Sequence, residues 1–323
     1  MISAISLFSP VEKDLELLVN NLTQLVGAGH PILSAAAEHL FGAGGKRIRP
    51  VIVFLVSRGT APEGTITPRH CRLAEITEMI HTASLVHDDV VDEAEIRRGV
   101  PTVNNLFNNR IAVLAGDFLF AQSSWYLANL DNLEVVKLLS EVIKDFAEGE
   151  IRQGLNRFDT DISFDEYLEK SYYKTASLIA NSAKAAAVLN GMDDSTCNAL
   201  YQYGRHLGLA FQIVDDILDF TASAEVLGKP AGSDLVSGNI TAPALYAMEE
   251  NPYLETLIER EFSEEGDGEK AIALVLNSTG IEQARKLAAF HSGEAKNYLH
   301  CLHPSIYKDS LLEIADYVLS RLY

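Results

Sequence analysis

Cysteine is scarce: Cys71, Cys197 and Cys301 are the only three in 323 residues. They are odd in number and far apart, so they form neither a metal-ligand spacing nor an even disulfide framework, and free thiols in a reducing compartment are expected. Positive charge is also short. Lys and Arg total 26 against 45 Asp and Glu, a formal net charge of −19, and such a surface repels a nucleic-acid backbone. No stretch reaches the roughly 18 uninterrupted apolar residues of a membrane span, so no transmembrane segment is expected. The opening MISAISLFSPVEKD lacks the basic n-region of a secretory signal. A cytoplasmic chain follows, with peripheral membrane contact left open. Short-period repeats, low-complexity segments and long alternating β-branched runs are missing too.

What is present is helical. Hydrophobic residues make up 47% of the chain, and apolar positions recur at i, i+3, i+4 and i+7 through most of it. The reading is all-α, with residues 1–323 as a single domain. The run from Val51 to Val56 is β-branched enough for a strand, but no partner strand lies nearby, so a buried helix is expected. Cys71–Glu95 reads as one long helix. Ser163 and Glu166 form a capping box. Phe220–Pro243 reads as a long loop with a basic centre, and long loops in compact folds tend to be functional.

Two aspartate clusters share one spacing. Asp88, Asp89 and Asp92 lie in one helical pattern, and Asp215, Asp216 and Asp219 in another. Residues at i and i+4 stand one above the other on a helix. Asp88 with Asp92, and Asp215 with Asp219, therefore each make a two-tooth carboxylate comb. Stacked like charges repel, and in apolar surroundings a carboxylate needs a partner or a metal. A single such comb reads equally well as an acidic surface. Two copies in apolar helices point to magnesium, which takes one or two carboxylates plus substrate phosphate oxygens.

Cations accompany them. In Gly44–Pro50 (GGKRIRP), Lys46 and Arg49 would share a face if the segment is helical, and glycine lets the backbone approach an anion. Arg97 and Arg98 follow the first comb closely. Arginine offers bidentate geometry to phosphate oxygens. Lys174 and Lys229 are further candidates. His81 lies two turns before Asp88, and His87 is read as a packing residue.

Together the segments GGKRIRP, IHTASLVHDDVVDEAEIRRG, YYKTAS, FQIVDDILDF and GKPAGSDLVSGN resemble the trans-type polyprenyl diphosphate synthases. The resemblance is closest to the cyanobacterial and plastid solanesyl diphosphate synthases. It implies a single large helical bundle of the isoprenoid synthase type around a deep central cavity, working as a homodimer. It implies magnesium, about three ions per site, held by Asp88, Asp92 and Asp215, with Asp89, Asp216 and Asp219 in the same motifs. Arg97, Lys174 and Lys229 match contacts to the allylic diphosphate (farnesyl or geranylgeranyl). Gly45, Lys46, Arg49, His81 and Arg98 match the isopentenyl diphosphate pocket, while Thr175 and Gln212 match residues that steady the allylic cation. One departure stands out: a Gly-Lys-x-Thr run common in the family reads Gly238-Asn239-Ile240-Thr241 here.

The implied reaction is ionisation, condensation and elimination, repeated to give an all-trans chain for a quinone side chain. Short-chain relatives close the product cavity with an aromatic residue near position 83. Ala83 and Ser84 are small, so a long product of about eight to ten isoprene units is expected. The alternatives are a shorter-chain (geranylgeranyl or farnesyl) synthase, a terpene cyclase, which usually lacks a second intact comb and the GKRIRP segment, and a non-catalytic partner subunit, which would carry degraded motifs.

Overall fold

The computed structural model describes residues 7–25, 31–42, 45–97, 99–223 and 230–322. The described chain is helical apart from two two-residue strands. It divides into two compact units, residues 1–143, 178–202 and 298–313 in the first and 144–177, 203–297 and 314–323 in the second.

The first unit contains α1 (Glu12–Leu25), α2 (Pro31–Gly42), α3 (Ile48–Thr60), α4 (Pro68–Val91), a hairpin of β1 (Ile96–Arg97) and β2 (Val100–Pro101), α5 (Val103–Leu106), α6 (Asn109–Ala128) and the start of α7 (Leu133–Leu155). The β-branched run from Val51 to Val56 is buried α3, as its isolation from any partner strand requires. A helix buried on all sides must satisfy its polar groups internally. In α4, Glu75 accepts from Asn21 Nδ2 at 2.8 Å and pairs with Arg72 at 2.9 Å. Burial still pushes the Glu75 carboxyl up. Arg58 on α3 grips Asp14 of α1 with two bonds of 2.7 Å.

α6 is long and apolar enough, by length and composition, to cross a membrane. Its inner face nevertheless belongs to the core of this unit, where Ala112 and Ala115 join Val86 of α4 and Ala36 of α2. Gly116 permits that approach, since a Cβ there would stand 2.2 Å from the His87 ring. His87 also reaches Val113 O at 3.1 Å, which accounts for it as packing.

The second unit holds the remainder of α7, α8 (Phe164–Ser171), a π turn over Tyr172–Ala176, part of α10 (Asp194–Thr221), α11 (Ser233–Val236), α12 (Ala242–Glu250), α13 (Tyr253–Glu259), α14 (Asp267–Asn277) and α15 (Gly280–Tyr298), followed by the end of α16 (Ile306–Ser320). Most of α9 (Ser177–Leu189) lies in the first unit. The expected capping box opens α8: Glu166 N donates to Ser163 Oγ at 3.2 Å, and Ser163 N to Glu166 Oε2 at 2.8 Å. The segment read as a loop from Phe220 to Pro243 is shorter than expected. α10 continues through Thr221, α11 interrupts the segment, and α12 starts at Ala242.

Candidate active site

The first comb stands where α4 ends. Asp92 is its C-cap and donates its backbone N–H to Asp88 O at 2.8 Å. Asp88 is half-buried and Asp92 exposed, so both carboxylates reach solvent from one helix face. Asp89 points the other way and is 3% exposed. The helix was expected to run to Glu95, but Glu93 takes a positive φ of 51° and breaks it. The hairpin then doubles back, pairing Ile96 with Pro101 and Arg97 with Val100. This return brings Arg97 Nε to Asp89 Oδ1 at 2.6 Å. Burial raises the Asp89 carboxyl, and the Arg97 guanidinium opposes that shift. Arg97, expected as a phosphate contact, thus has one donor committed to Asp89 and a side chain still 36% exposed.

The described part of the GGKRIRP segment, from Gly45, does not start as helix. Gly45 has φ 140°, Arg47 is left-handed at φ 48°, and α3 begins only at Ile48. Lys46 therefore precedes the helix and shares no helical face with Arg49, which corrects the reading of that pair. Lys46 is exposed and Arg49 half-buried. Arg49 does meet His81, its Nη1 lying 3.1 Å from His81 Nε2. A guanidinium can only donate, so His81 accepts through Nε2 and, when neutral, carries its proton on Nδ1. A cavity beside this pair is lined by His39, Arg47, Glu78, His81, Asp89 and Arg97. Arg47, Glu78 and His39 were missed by the sequence reading. Arg47 sits inside the basic segment, and its Nη1 is buried without a hydrogen-bond partner.

The second comb lies inside α10. Asp215 is half-buried and pairs with Arg321 at 2.7 Å; the same guanidinium covers the Phe211 ring at 4.5 Å. Asp216 and Asp219 are 3% and 2% exposed. Asp216 accepts from Tyr167 OH at 2.6 Å and Gln212 Nε2 at 2.8 Å. Burial pushes its carboxyl up to about 7 despite both bonds. Gln212 Oε1 in turn accepts from Thr175 Oγ1 at 2.6 Å, so the two residues expected to steady a cation are joined. Asp219 accepts from Ser233 Oγ at 3.1 Å and Asp234 N at 3.2 Å.

Thr175 and Lys174 stand on the π turn, a feature often found at functional sites. Two glycines make room for it. A Cβ on Gly208 would stand 2.4 Å from Ala176 Cα, and one on Gly149 would stand 2.9 Å from Tyr173 Cβ. Lys174 is exposed and donates to Gln153 Oε1 at 3.0 Å. Ala83 is fully buried in α4, and half-buried Ser84 donates to His81 O at 2.9 Å. Arg98 and Lys229 lie outside the described residues.

No group of three or more His, Cys, Asp or Glu side chains able to hold a metal ion occurs among the described residues. The donor set still fits magnesium, which keeps several waters and needs only one or two carboxylates besides substrate oxygens. Asp88 and Asp92 offer hard oxygens on a solvent-reaching face. In the second unit Asp215 is a further hard oxygen donor, now paired with Arg321.

The profile of the polyprenyl synthetase family matches residues 30–275. A prenyl transferase of Synechocystis is 70% identical, with all of both chains covered. Solanesyl-diphosphate synthase 2, chloroplastic, of Oryza sativa is 55% identical, covering 99% of this chain and 80% of the relative. The crystal structure of a decaprenyl diphosphate synthase from Rhodobacter capsulatus superposes with a TM-score of 0.92 at 33% identity, covering 99% of this chain and 100% of the other.

Proposed function

The chain belongs to the polyprenyl synthetase family and has its helical isoprenoid synthase fold, and from this premise we propose that it is a long-chain all-trans prenyltransferase whose product is solanesyl diphosphate. The observation that carries the reading is the first comb. Asp88 and Asp92 present two carboxylates from one helix end, and buried Asp89 anchors Arg97 beside them.

The roles follow from the chemistry of each group. Asp88, Asp92 and Asp215 are the proposed ligands of magnesium, with about three ions expected per site. When bound, magnesium supplies Lewis-acid neutralisation of a leaving diphosphate. Arg97, Lys174 and Lys229 add fixed positive charge to the allylic diphosphate, where charge develops as its C–O bond breaks. Gly45, Lys46, Arg49, Arg98 and His81 hold isopentenyl diphosphate. The Thr175–Gln212 bond fixes two neutral dipoles suited to steadying an allylic cation without capturing it. The double bond of isopentenyl diphosphate then forms the new C–C bond, and a proton leaves to the released pyrophosphate. Asp216 and Asp219 hold the second comb in place through their buried hydrogen bonds. A second copy of the chain is the proposed partner, supported by exposed Val113, Leu114 and Trp125 on α6.

The test is product analysis by reversed-phase chromatography. Purified protein is given farnesyl or geranylgeranyl diphosphate, labelled isopentenyl diphosphate and magnesium. A product near nine isoprene units is expected, on the order set by an open cavity. A product of about three or four units would retain the prenyltransferase and refute the length assignment. No product would favour a partner subunit.

A further inference from the structure

Lys170 is the penultimate residue of α8, just before the π turn that carries Lys174. Its Nζ donates to Asn239 Oδ1 at 2.6 Å and to Ile240 O at 3.4 Å. Both acceptors are neutral. Lys174 likewise donates to a neutral acceptor, Gln153 Oε1. Among the described residues neither lysine has a carboxylate at ion-pair distance. In a chain with 45 acidic residues and a net charge of −19, two such ammonium groups four positions apart are unusual. The neighbouring carboxylates are already engaged: Asp216 by Tyr167 and Gln212, Asp219 by Ser233 and Asp234 N. Asp216 and Asp234 act on the Lys170 ammonium electrostatically, but both of its hydrogen bonds go to neutral acceptors, so one of its three donors is left for an anion.

Lys170 also orients Asn239. An ammonium has no acceptor, so the oxygen of the Asn239 amide must face it and the NH₂ must face away. That NH₂ has no partner among the described residues. The corner holding it is fixed. Asn239 N donates to Asp234 O at 2.8 Å, and Phe158 N donates to Gly238 O at 2.9 Å. Gly238 takes φ 87° under the Phe158 ring, 2.7 Å from where a Cβ would stand. Two N–H donors thus face away from the Lys170 cation on a fixed corner.

We propose that Lys170 and Asn239 form an anion-binding pair that takes the diphosphate of the allylic substrate, Lys170 supplying the charge and Asn239 the outward donors. The assignment rests on the prenyltransferase reading above. It gives the Gly238-Asn239-Ile240-Thr241 run a function despite its missing lysine: the cation stands at position 170.

The decisive variant is Asn239→Asp. A carboxylate still accepts from Lys170, so the tie between α8 and the corner persists, but the outward donors become an acceptor that repels phosphate. Calorimetric titration of the full chain with magnesium and inorganic pyrophosphate should show binding weakened roughly ten- to hundredfold, as for a lost charge-assisted hydrogen bond. The melting temperature should stay at or above that of the wild type. Lys170→Met should weaken pyrophosphate binding similarly, and Lys170→Met with Asn239→Lys should restore it. In steady state the KM for the allylic diphosphate should rise while that for isopentenyl diphosphate stays. Wild-type pyrophosphate binding by Asn239→Asp, a failed rescue, or a rise confined to the KM for isopentenyl diphosphate would overturn the pair. The two readings fail separately. Absence of prenyl product from the wild type sinks the activity while the pyrophosphate pattern still tests the pair; normal product with unaffected variants sinks only the pair.

Discussion

The two aspartate combs have the same sequence spacing but different surroundings. The first sits at a helix end, with Asp88 and Asp92 reaching solvent and only Asp89 buried. The second sits within a helix, with Asp216 and Asp219 buried and hydrogen-bonded and Asp215, 39% exposed, paired with Arg321. A motif thus specifies which side chains share a face, and the position of that face along the helix decides whether they meet water or a network. The first comb reaches solvent. The second is held by a buried hydrogen-bond network, and its more exposed carboxylate, Asp215, is paired with Arg321.

The sharpest way to break this contrast is at the open comb. Asp88→Ala or Asp92→Ala should lower turnover by roughly 10³-fold or more, the scale of removing a major electrostatic stabiliser. Both side chains reach solvent, so melting temperature should move by no more than about 2 °C. Turnover and thermal melts on the same preparations check both halves, and a large drop in melting temperature would show that the first comb is structural.

The combs also differ in what stands one turn before them. Asp88 is preceded at that spacing by Ser84, with fully buried Ala83 beside it, and Asp215 by Phe211 under the Arg321 guanidinium. On the proposed reading, the floor of the product cavity lies beside Ala83. Ala83→Phe should shift the product ladder to shorter chains, read by chromatography, at an overpacking cost of about 1–3 kcal/mol. An unchanged ladder in a folded variant would refute the floor. A smaller effect is expected at the second comb, where Asp219→Ala strands the Ser233 hydroxyl and Asp234 N–H. That should cost about 1–3 kcal/mol and lower the melting temperature by several degrees, unlike the open-comb variants.

Much of this was legible in the sequence because helical periodicity and i, i+4 spacing are local properties. The helical class, buried α3, the Ser163 cap and both combs follow from neighbours within a turn or two. What was not legible depends on residues far apart in sequence or on backbone exceptions. Left-handed Arg47 removed the shared face expected of Lys46 and Arg49. The hairpin that returns Arg97 to Asp89 replaced the last turn expected of α4. The π turn depends on Gly149 and Gly208, distant in sequence and individually unremarkable. The Tyr167–Asp216 bond spans 49 positions and the Lys170–Asn239 bond spans 69, and nothing in the local pattern announces either.

The smallest expected effect separates the buried aspartates of the two combs. Asp89 has a charged partner in Arg97, whereas Asp216 is hydrogen-bonded by a phenol and an amide, both neutral. A guanidinium offsets the cost of burying a carboxylate far better than neutral donors do. Burial accordingly lifts Asp216 to about 7. In the unfolded chain an aspartate titrates near 4. Between these values the folded protein holds a proton that the unfolded chain has released, so stability is fully present below about pH 4 and is lost as pH rises through about 7. Asp216→Asn keeps an acceptor for Tyr167 but cannot ionise, so the fall in magnesium-free melting temperature from about pH 5 to 8 should flatten. Added magnesium should flatten the wild-type curve from the other direction, since a cation on the second comb favours the ionised carboxylate. A variant whose melting curve falls with pH as steeply as the wild type would show that Asp216 is ionised in the folded chain, and that its two neutral donors suffice where the first comb uses an arginine.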